Sequence, residues 1–444
     1  MVTVTYESAG AATAFAPPET GELVVYRGLT LFDGTGSAPR PHMTIVVDGS
    51  VIRSVADESD VVAALADGAE VVDLSGHFAT PGLIDAHQHL ATPPDRPVAE
   101  AVLRRLVYGG VTGVRDMADD LRHVGDLARA TRVGEIAGPD IYYAALMAGP
   151  SFFDDVRTHQ VTQGATAGQV PWMQAITDAT DLPLAVALAR GTYASAIKIY
   201  ADLDAALVAA VTAEAHRQGI AVWAHATVFP ATPGQVVEAG VDTVSHVTLL
   251  AHESSTGPLT SYKNKPAVEH AALVTGRDPR LDALFARMRS QGTVLDATAG
   301  MWAADALADD DSAAIERARR NTELAIALTA QAHRAGVELA TGTDYETDPD
   351  DPFPALYEEL AFLVRRCGIP TLDVLRSATL VGTRSAGVDH LTGTVEPGKL
   401  ADFVVFAQDP LADIDHLRTI TLTVKRGRRF PRSAYTAERP RENR

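Results

Sequence analysis

Residues 81–92 read PGLIDAHQHLAT. An apolar run, Gly82 to Ala86, leads into His87 and His89, one residue apart. Along a β-strand, side chains alternate between faces, so residues i and i+2 point the same way. Two imidazoles then project from one strand end towards one point. That arrangement suits a metal ion, and the rest of the chain has to supply the partners.

Downstream, helical stretches alternate with short, almost wholly apolar strands. AEAVLRRLVYGG precedes VTGVRDM, LDAALVAAVTAEAHRQGI precedes AVWAHAT, GQVVEAG precedes VDTVSHVTLL, and AIALTAQAHRAGV precedes ELATGTD. Strands buried on both faces read as continuous apolar runs, and strand–helix repetition predicts a parallel sheet. The units suffice for a closed (β/α)₈ TIM-type barrel, a fold of about 250 residues or more. The fold class expected is therefore α/β, with the barrel over residues 77–390.

Both chain ends have another texture. Residues 22–76 hold ELVVYRGLTLFDG, MTIVVDGSVIRSVA and AEVVDLSG, short alternating strands cut by Asp-Gly and Gly turns. The pattern returns in LTGTVEPGKLADFVVFAQDP and TITLTVKRGRRF. Residues 22–76 and 391–432 are predicted to pair into one small β-sandwich domain, with residues 1–21 as a flexible tail. Two segments break the barrel rhythm, 145–178 (Gly-rich and aromatic) and 251–280 (polar). On a barrel's catalytic rim they would be lids or substrate walls.

Composition narrows the function. The chain has 444 residues, 46% hydrophobic and 21% charged, with a formal net charge of −19. That balance disfavours a nucleic-acid partner, which needs a basic face, and an anionic membrane surface. The single cysteine, Cys367, excludes an intrachain disulfide and a Cys-rich zinc site, and reads as a packing residue. No secretory signal or long apolar span is visible, so a cytoplasmic protein acting on a small molecule is expected.

A barrel of this kind keeps its chemistry at the C-terminal ends of its strands. The first strand end carries His87 and His89. The fourth, in YASAIKIYADL, carries Lys198. The fifth, IAVWAHAT, ends with His225. The sixth, VDTVSHVTLL, carries His246, and VELATGTD ends with Asp344. Alone, each has a plain structural explanation: a core histidine, a strand lysine or a helix cap. Their joint placement at converging strand ends is what points to a site. His216 and His333 instead fit helix C-termini, where the dipole favours them.

The pattern resembles the amidohydrolase superfamily, in particular its imidazolonepropionase-like and Xaa-Pro-dipeptidase-like metal-dependent hydrolases. PGLIDAHQHL, GGVTGVRDM, AIKIY, EAHRQGIAVWAHA, GVDTVSHVT, TGTD and LTGTVEPGKLADFVVF carry the resemblance, over about residues 22–430. It implies that His87 and His89 hold the more buried of two divalent metal ions, Zn by default with Mn or Fe accepted. It implies that Lys198, carboxylated by CO₂, bridges the two, and that His225 and His246 hold the second. Asp344 would bind the first metal and move the proton. Deaminase-type members carry a Glu three residues after the fifth-strand histidine. Here that position is Val228.

The resemblance thus implies a binuclear hydrolase that cleaves an amide-like C–N bond in a peptide, N-acyl amino acid, lactam or carbamate by a metal-bridging hydroxide, with Asp344 as proton shuttle. The alternatives are an ester, lactone or phosphoester hydrolase, a mononuclear cyclic-amide hydrolase or deaminase, and a non-catalytic assembly protein. Filled ligand positions argue against the last. A homo-oligomer is expected from the resemblance alone. For substrate contacts the sequence offers Tyr143, Phe153, His159, Tyr200, His252 and Trp302. Arg115 and Asp116 read as a structural pair.

Overall fold

The computed structural model describes residues 23–57, 69–92, 94–308, 311–346 and 350–437. The predicted tail, 1–21, lies outside them. Eight parallel strands form the barrel: Leu83–Gln88, Val111–Asp116, Asp140–Ala148, Ala196–Ile199, Ala221–His225, Thr243–Ser245, Val294–Asp296 and Leu339–Ala340. Each pairs in parallel with the next. The first and last meet through single backbone bonds, Ala86 N to Thr341 O and Asp344 N to His87 O, both 2.9 Å. The barrel is therefore nearly closed.

Gly342 permits that closure. A Cβ there would lie 2.3 Å from Asp296 Oδ1 and 2.6 Å from His87 Cβ. Only a glycine lets the backbone come so near the floor of the site.

The outer helices start in a uniform way. Asp95, Asp120, Asp181, Asp204, Asp278 and Asp311 each cap a helix, accepting from a backbone N–H of the first turn. A carboxylate there satisfies an orphan donor and complements the helix dipole. Part of the acidic balance is spent on this task. His216 and His333 do close helices, in the last turns of Ala205–Arg217 and Ser312–Arg334. Cys367 is buried just past Leu356–Arg365, and burial pushes its thiol up to about 12, as a packing residue requires.

The two chain ends build one mixed eight-stranded sheet, in which Phe78–Pro81 lies between Leu23–Leu31 and Phe403–Phe406. The sheet folds back over its own core. Ile52 N donates to Lys399 O at 2.8 Å and Val51 bridges Leu400. The wholly apolar strand FVVF shows why both of its faces are hydrophobic. Phe403 and Val405 enter the small domain's core, whereas Val404 and Phe406 enter the barrel's. A buried ion cluster adds to the joint: Asp140, opening the third barrel strand, lies 2.8 Å from Lys425 Nζ and 2.6 Å from Arg426 Nη2.

Segment 145–178 is more ordered than a loop. Its start, through Ala148, continues the third strand. Met173–Ala175 then pairs in parallel with that strand and antiparallel with Gln169–Val170. The continuous apolar run of the strand extends through Leu146, Met147 and Ala148, but the Gly-rich stretch that follows masks it. No helix among the described residues is long and apolar enough to cross a membrane.

Candidate metal centre

His87, His89, Lys198, His225, His246 and Asp344 line one cavity of about 250 Å³ at the C-terminal mouth of the barrel. The imidazoles form a chain. Ring centroids are 5.6 Å apart for His89 and His87, 4.8 Å for His87 and His246, and 4.8 Å for His246 and His225. Asp344 faces three of them: Oδ1 is 3.6 Å from His87 Nε2 and 3.5 Å from His89 Nε2, and Oδ2 is 3.8 Å from His246 Nδ1. Ligand atoms of His87, His246 and Asp344 all fall within 4.8 Å of one another.

The backbone bends to make this possible. His246, directly after its strand, has φ +70°, and Asp344 has φ +60°. Non-glycine residues rarely hold the left-handed region, and such conformations concentrate at functional sites.

Second partners fix the rings. His87 Nδ1 lies 2.7 Å from Asp296 Oδ2, and His89 Nδ1 lies 2.8 Å from Asp119 Oδ1. Each pairing leaves Nε2 as the inward atom, the orientation that a carboxylate–imidazole–metal arrangement uses. His246 Nδ1 meets Thr298 Oγ1 at 3.0 Å. His225 Nδ1 is buried and has no hydrogen-bond partner among the described residues. A buried imidazole nitrogen without a partner is costly in an apo protein and is what a metal ligand looks like.

Beneath them, Lys198 donates from Nζ to Ser245 Oγ at 3.1 Å, and Ser245 Oγ donates to Asp296 Oδ2 at 3.0 Å. Arg115 reaches the same Asp296 oxygen at 3.2 Å. Arg115 is not paired with Asp116. The two are neighbours on a strand and so face opposite ways. Asp116 instead accepts from the backbone N–H groups of Leu90 and Asp119.

Charge follows from burial. Burial, with the nearby cations, holds His87, His225 and His246 well below the usual imidazole range, so they are neutral and able to donate lone pairs. His89 differs: against the effect of burial, Asp119 raises it to about 9, so a cation binding there displaces a proton. Burial lowers Lys198 to about 7 and raises Asp344 to about 6. A lysine near 7 has a substantial free-amine fraction at neutral pH.

Of the six residues offered as substrate contacts, Tyr200 lines the cavity, its ring 3.9 Å from that of His225. Phe153 packs beside the cavity, whose wall is its neighbour Phe152. The structure does not bring the other four there. Tyr143 points outward from the third strand into the helix layer, and its hydroxyl donates to Thr192 O. The inward residues of that strand are its even-numbered neighbours, such as Leu146. His159 is exposed on a short helix. His252 packs against Phe229, and Trp302 donates to Thr248 Oγ1.

Sequence reasoning missed Asp296 and Asp119. Asp296, within TVLDATAG, ends the seventh strand, Val294–Asp296, with the same strand-end signal as Asp344, and the rule applied to that strand would have found it. Asp119, in MADD, carries no such signal. We expect Asp296→Ala to weaken metal affinity by about 10–100-fold, the usual cost of losing such an orienting carboxylate. Competition with a chromogenic chelator reads this, and unchanged affinity would remove Asp296 from the site's support.

The model of the amidohydrolase family matches residues 78–430. The chain belongs to the amidohydrolase family. A dihydroorotase of Streptomyces coelicolor is 34% identical over 115 residues, covering 24% of this chain and 26% of that enzyme. An imidazolonepropionase of Picrophilus torridus is 32% identical over 72 residues, 15% of this chain and 18% of that enzyme. The chain thus matches only about a quarter or less of these curated relatives' length. A solved Xaa-Pro dipeptidase, with methionine bound in its active site, superposes with a TM-score of 0.72 at 21% identity, covering 92% of this chain and 100% of the other. An Aspergillus niger ochratoxinase does so with 0.72 at 20% identity, covering 93% and 96%. These likenesses establish a shared fold. The barrel and the composite β domain are shared with these structural neighbours.

Proposed function

We propose that this amidohydrolase cleaves an amide-like C–N bond at a binuclear metal centre. The observation that carries the reading is the convergence of four imidazoles and Asp344 on one cavity, with a buried lysine beneath. The residues fit the group. His87, His89 and Asp344 would hold one divalent ion, and His225 and His246 the other. Lys198, carboxylated by CO₂, would serve both. A bare ammonium is repelled from such a site, but its carbamate is an anionic oxygen ligand. Zinc suits this nitrogen–oxygen set, and Mn or Fe accept it too.

When bound, two such ions supply a hydroxide near neutral pH and polarise a carbonyl. Asp344 stands where it can take the attacking water's proton and return it to the leaving nitrogen, so amide and water become carboxylate and amine. Asp296 and Asp119 keep two imidazoles turned inward throughout. Val228 leaves the deaminase-type acid unfilled, which supports hydrolysis over deamination.

The test is metal content per chain, by elemental mass spectrometry, on protein purified without chelator and with bicarbonate. Two ions are expected in the parent and one or none in Lys198→Ala. One ion in both proteins would demote Lys198 to a structural residue and redirect the search to mononuclear chemistry.

A further inference from the structure

The cavity's outer end is unlike the rest of this acidic chain. The protein has five lysines. Lys198 is in the site, Lys399 lies 3.3 Å from Glu396, and Lys425 pairs with Asp140. The other two, Lys263 and Lys265, sit in the rim segment, with no ion pair or hydrogen bond to any described residue. The Lys265 ammonium lies 3.8 Å over the Tyr262 ring, and Lys263 is near enough to Asp155 to lower its pKa.

Arg157 lines the cavity itself. Asp155 occupies one edge of its guanidinium, with Nε 3.1 Å from Oδ1 and Nη2 2.8 Å from Oδ2. That contact fixes the plane. Nη1 makes no hydrogen bond to any described residue. Tyr200 also lines the cavity and meets Tyr262 edge to face, ring centroids 5.7 Å apart, and both phenols lie close enough to act on the guanidinium electrostatically. The remaining wall here is apolar: Phe152, Val161 and Met173.

We propose that this end of the cavity receives the free carboxylate of an N-acyl amino acid or dipeptide on the open edge of Arg157, with its side chain against Phe152, Val161 and Met173. The proposal rests on the hydrolase reading, because such a substrate places its amide over the metal-ligand set. A planar guanidinium offers paired N–H donors that match a carboxylate, and one already held by Asp155 loses little freedom on binding. Lys263 and Lys265 add a local positive field that draws anions to an otherwise negative protein. An uncharged amide or ester would keep Arg157 on Asp155 but leave its open edge to water.

The metal-loaded full chain is assayed on N-acetyl-L-phenylalanine and on its C-terminal carboxamide. We expect kcat/KM for the acid to exceed that for the carboxamide by about tenfold, since the Arg157 side chain is 56% exposed and water solvates its open edge when no carboxylate is bound. Arg157→Met should abolish the preference, mainly through KM, and Arg157→Lys should keep part of it. A wild-type ratio near one, or a ratio unchanged in R157M, overturns the proposal. Binding is read apart from turnover by calorimetry with 3-phenylpropanoate. A loss of about tenfold or more in R157M supports the carboxylate site, whereas equal binding assigns the carboxylate to the metals and overturns it. If neither amide is cleaved, the hydrolase reading fails on these substrates and the calorimetry alone decides the role of Arg157.

Discussion

Asp344→Asn is expected to lower kcat by about 10²–10⁴-fold, the range a positioned general acid–base contributes, while most of the metal stays bound. The geometry gives the reason. One carboxylate spans the set, with Oδ1 near the Nε2 atoms of His87 and His89 and Oδ2 near His246. Asparagine is nearly the same shape and keeps one acceptor oxygen towards a cation, but it cannot take up or release a proton. The left-handed backbone at this position, φ +60°, is one that asparagine also tolerates. The variant therefore separates ligation from proton transfer. Turnover on an amide panel, read beside elemental analysis, decides the matter. Near-normal rates with metal present would assign the proton to another group, and loss of both metals would show that ligation is the residue's main task.

The second large effect is on stability. Asp140→Asn should cost about 3–5 kcal/mol, because it strands a buried ammonium. Lys425 is fully buried and Asp140 nearly so. Burial pushes the Asp140 carboxyl up, but Lys425 and Arg426 outweigh it and hold its pKa at about 2. A native pKa below the unfolded value means stability that is present above pH 4 and is lost as pH falls towards 2. The cluster joins the opening of the third barrel strand to the last turn of the small sheet, so both domains feel its loss. Urea unfolding of D140N reads the cost. A paired Asp140→Leu, Lys425→Met variant should recover part of it, since no buried ammonium is then left unpaired and Arg426, which also loses Asp140, is 24% exposed to water. Equal midpoints for D140N and the parent would show that the cluster contributes little.

The barrel was legible because its strands are buried on both faces, and such strands read as plain apolar runs. The six candidate ligands were legible because a barrel puts its chemistry at strand ends, where a polar residue after an apolar run stands out. Position in a strand also put Tyr200 on the cavity wall, two residues beyond Lys198 and on the same face. The other aromatics were chosen from loops, where no period fixes direction. Tyr143 lay in a strand, but its parity was not followed, and it faces the helices.

What the sequence by itself determined is the set of strand ends and the residue types they carry, because both depend on local periodicity. What only the tertiary structure decided is which nitrogen of each imidazole faces inward and which cation is left open. Those depend on contacts between residues far apart in the chain: Asp296 with His87, Asp119 with His89, Arg115 with Asp296 instead of its neighbour. The orientation of a side chain is set by whatever hydrogen-bonds to its far side, and that partner comes from a distant part of the chain.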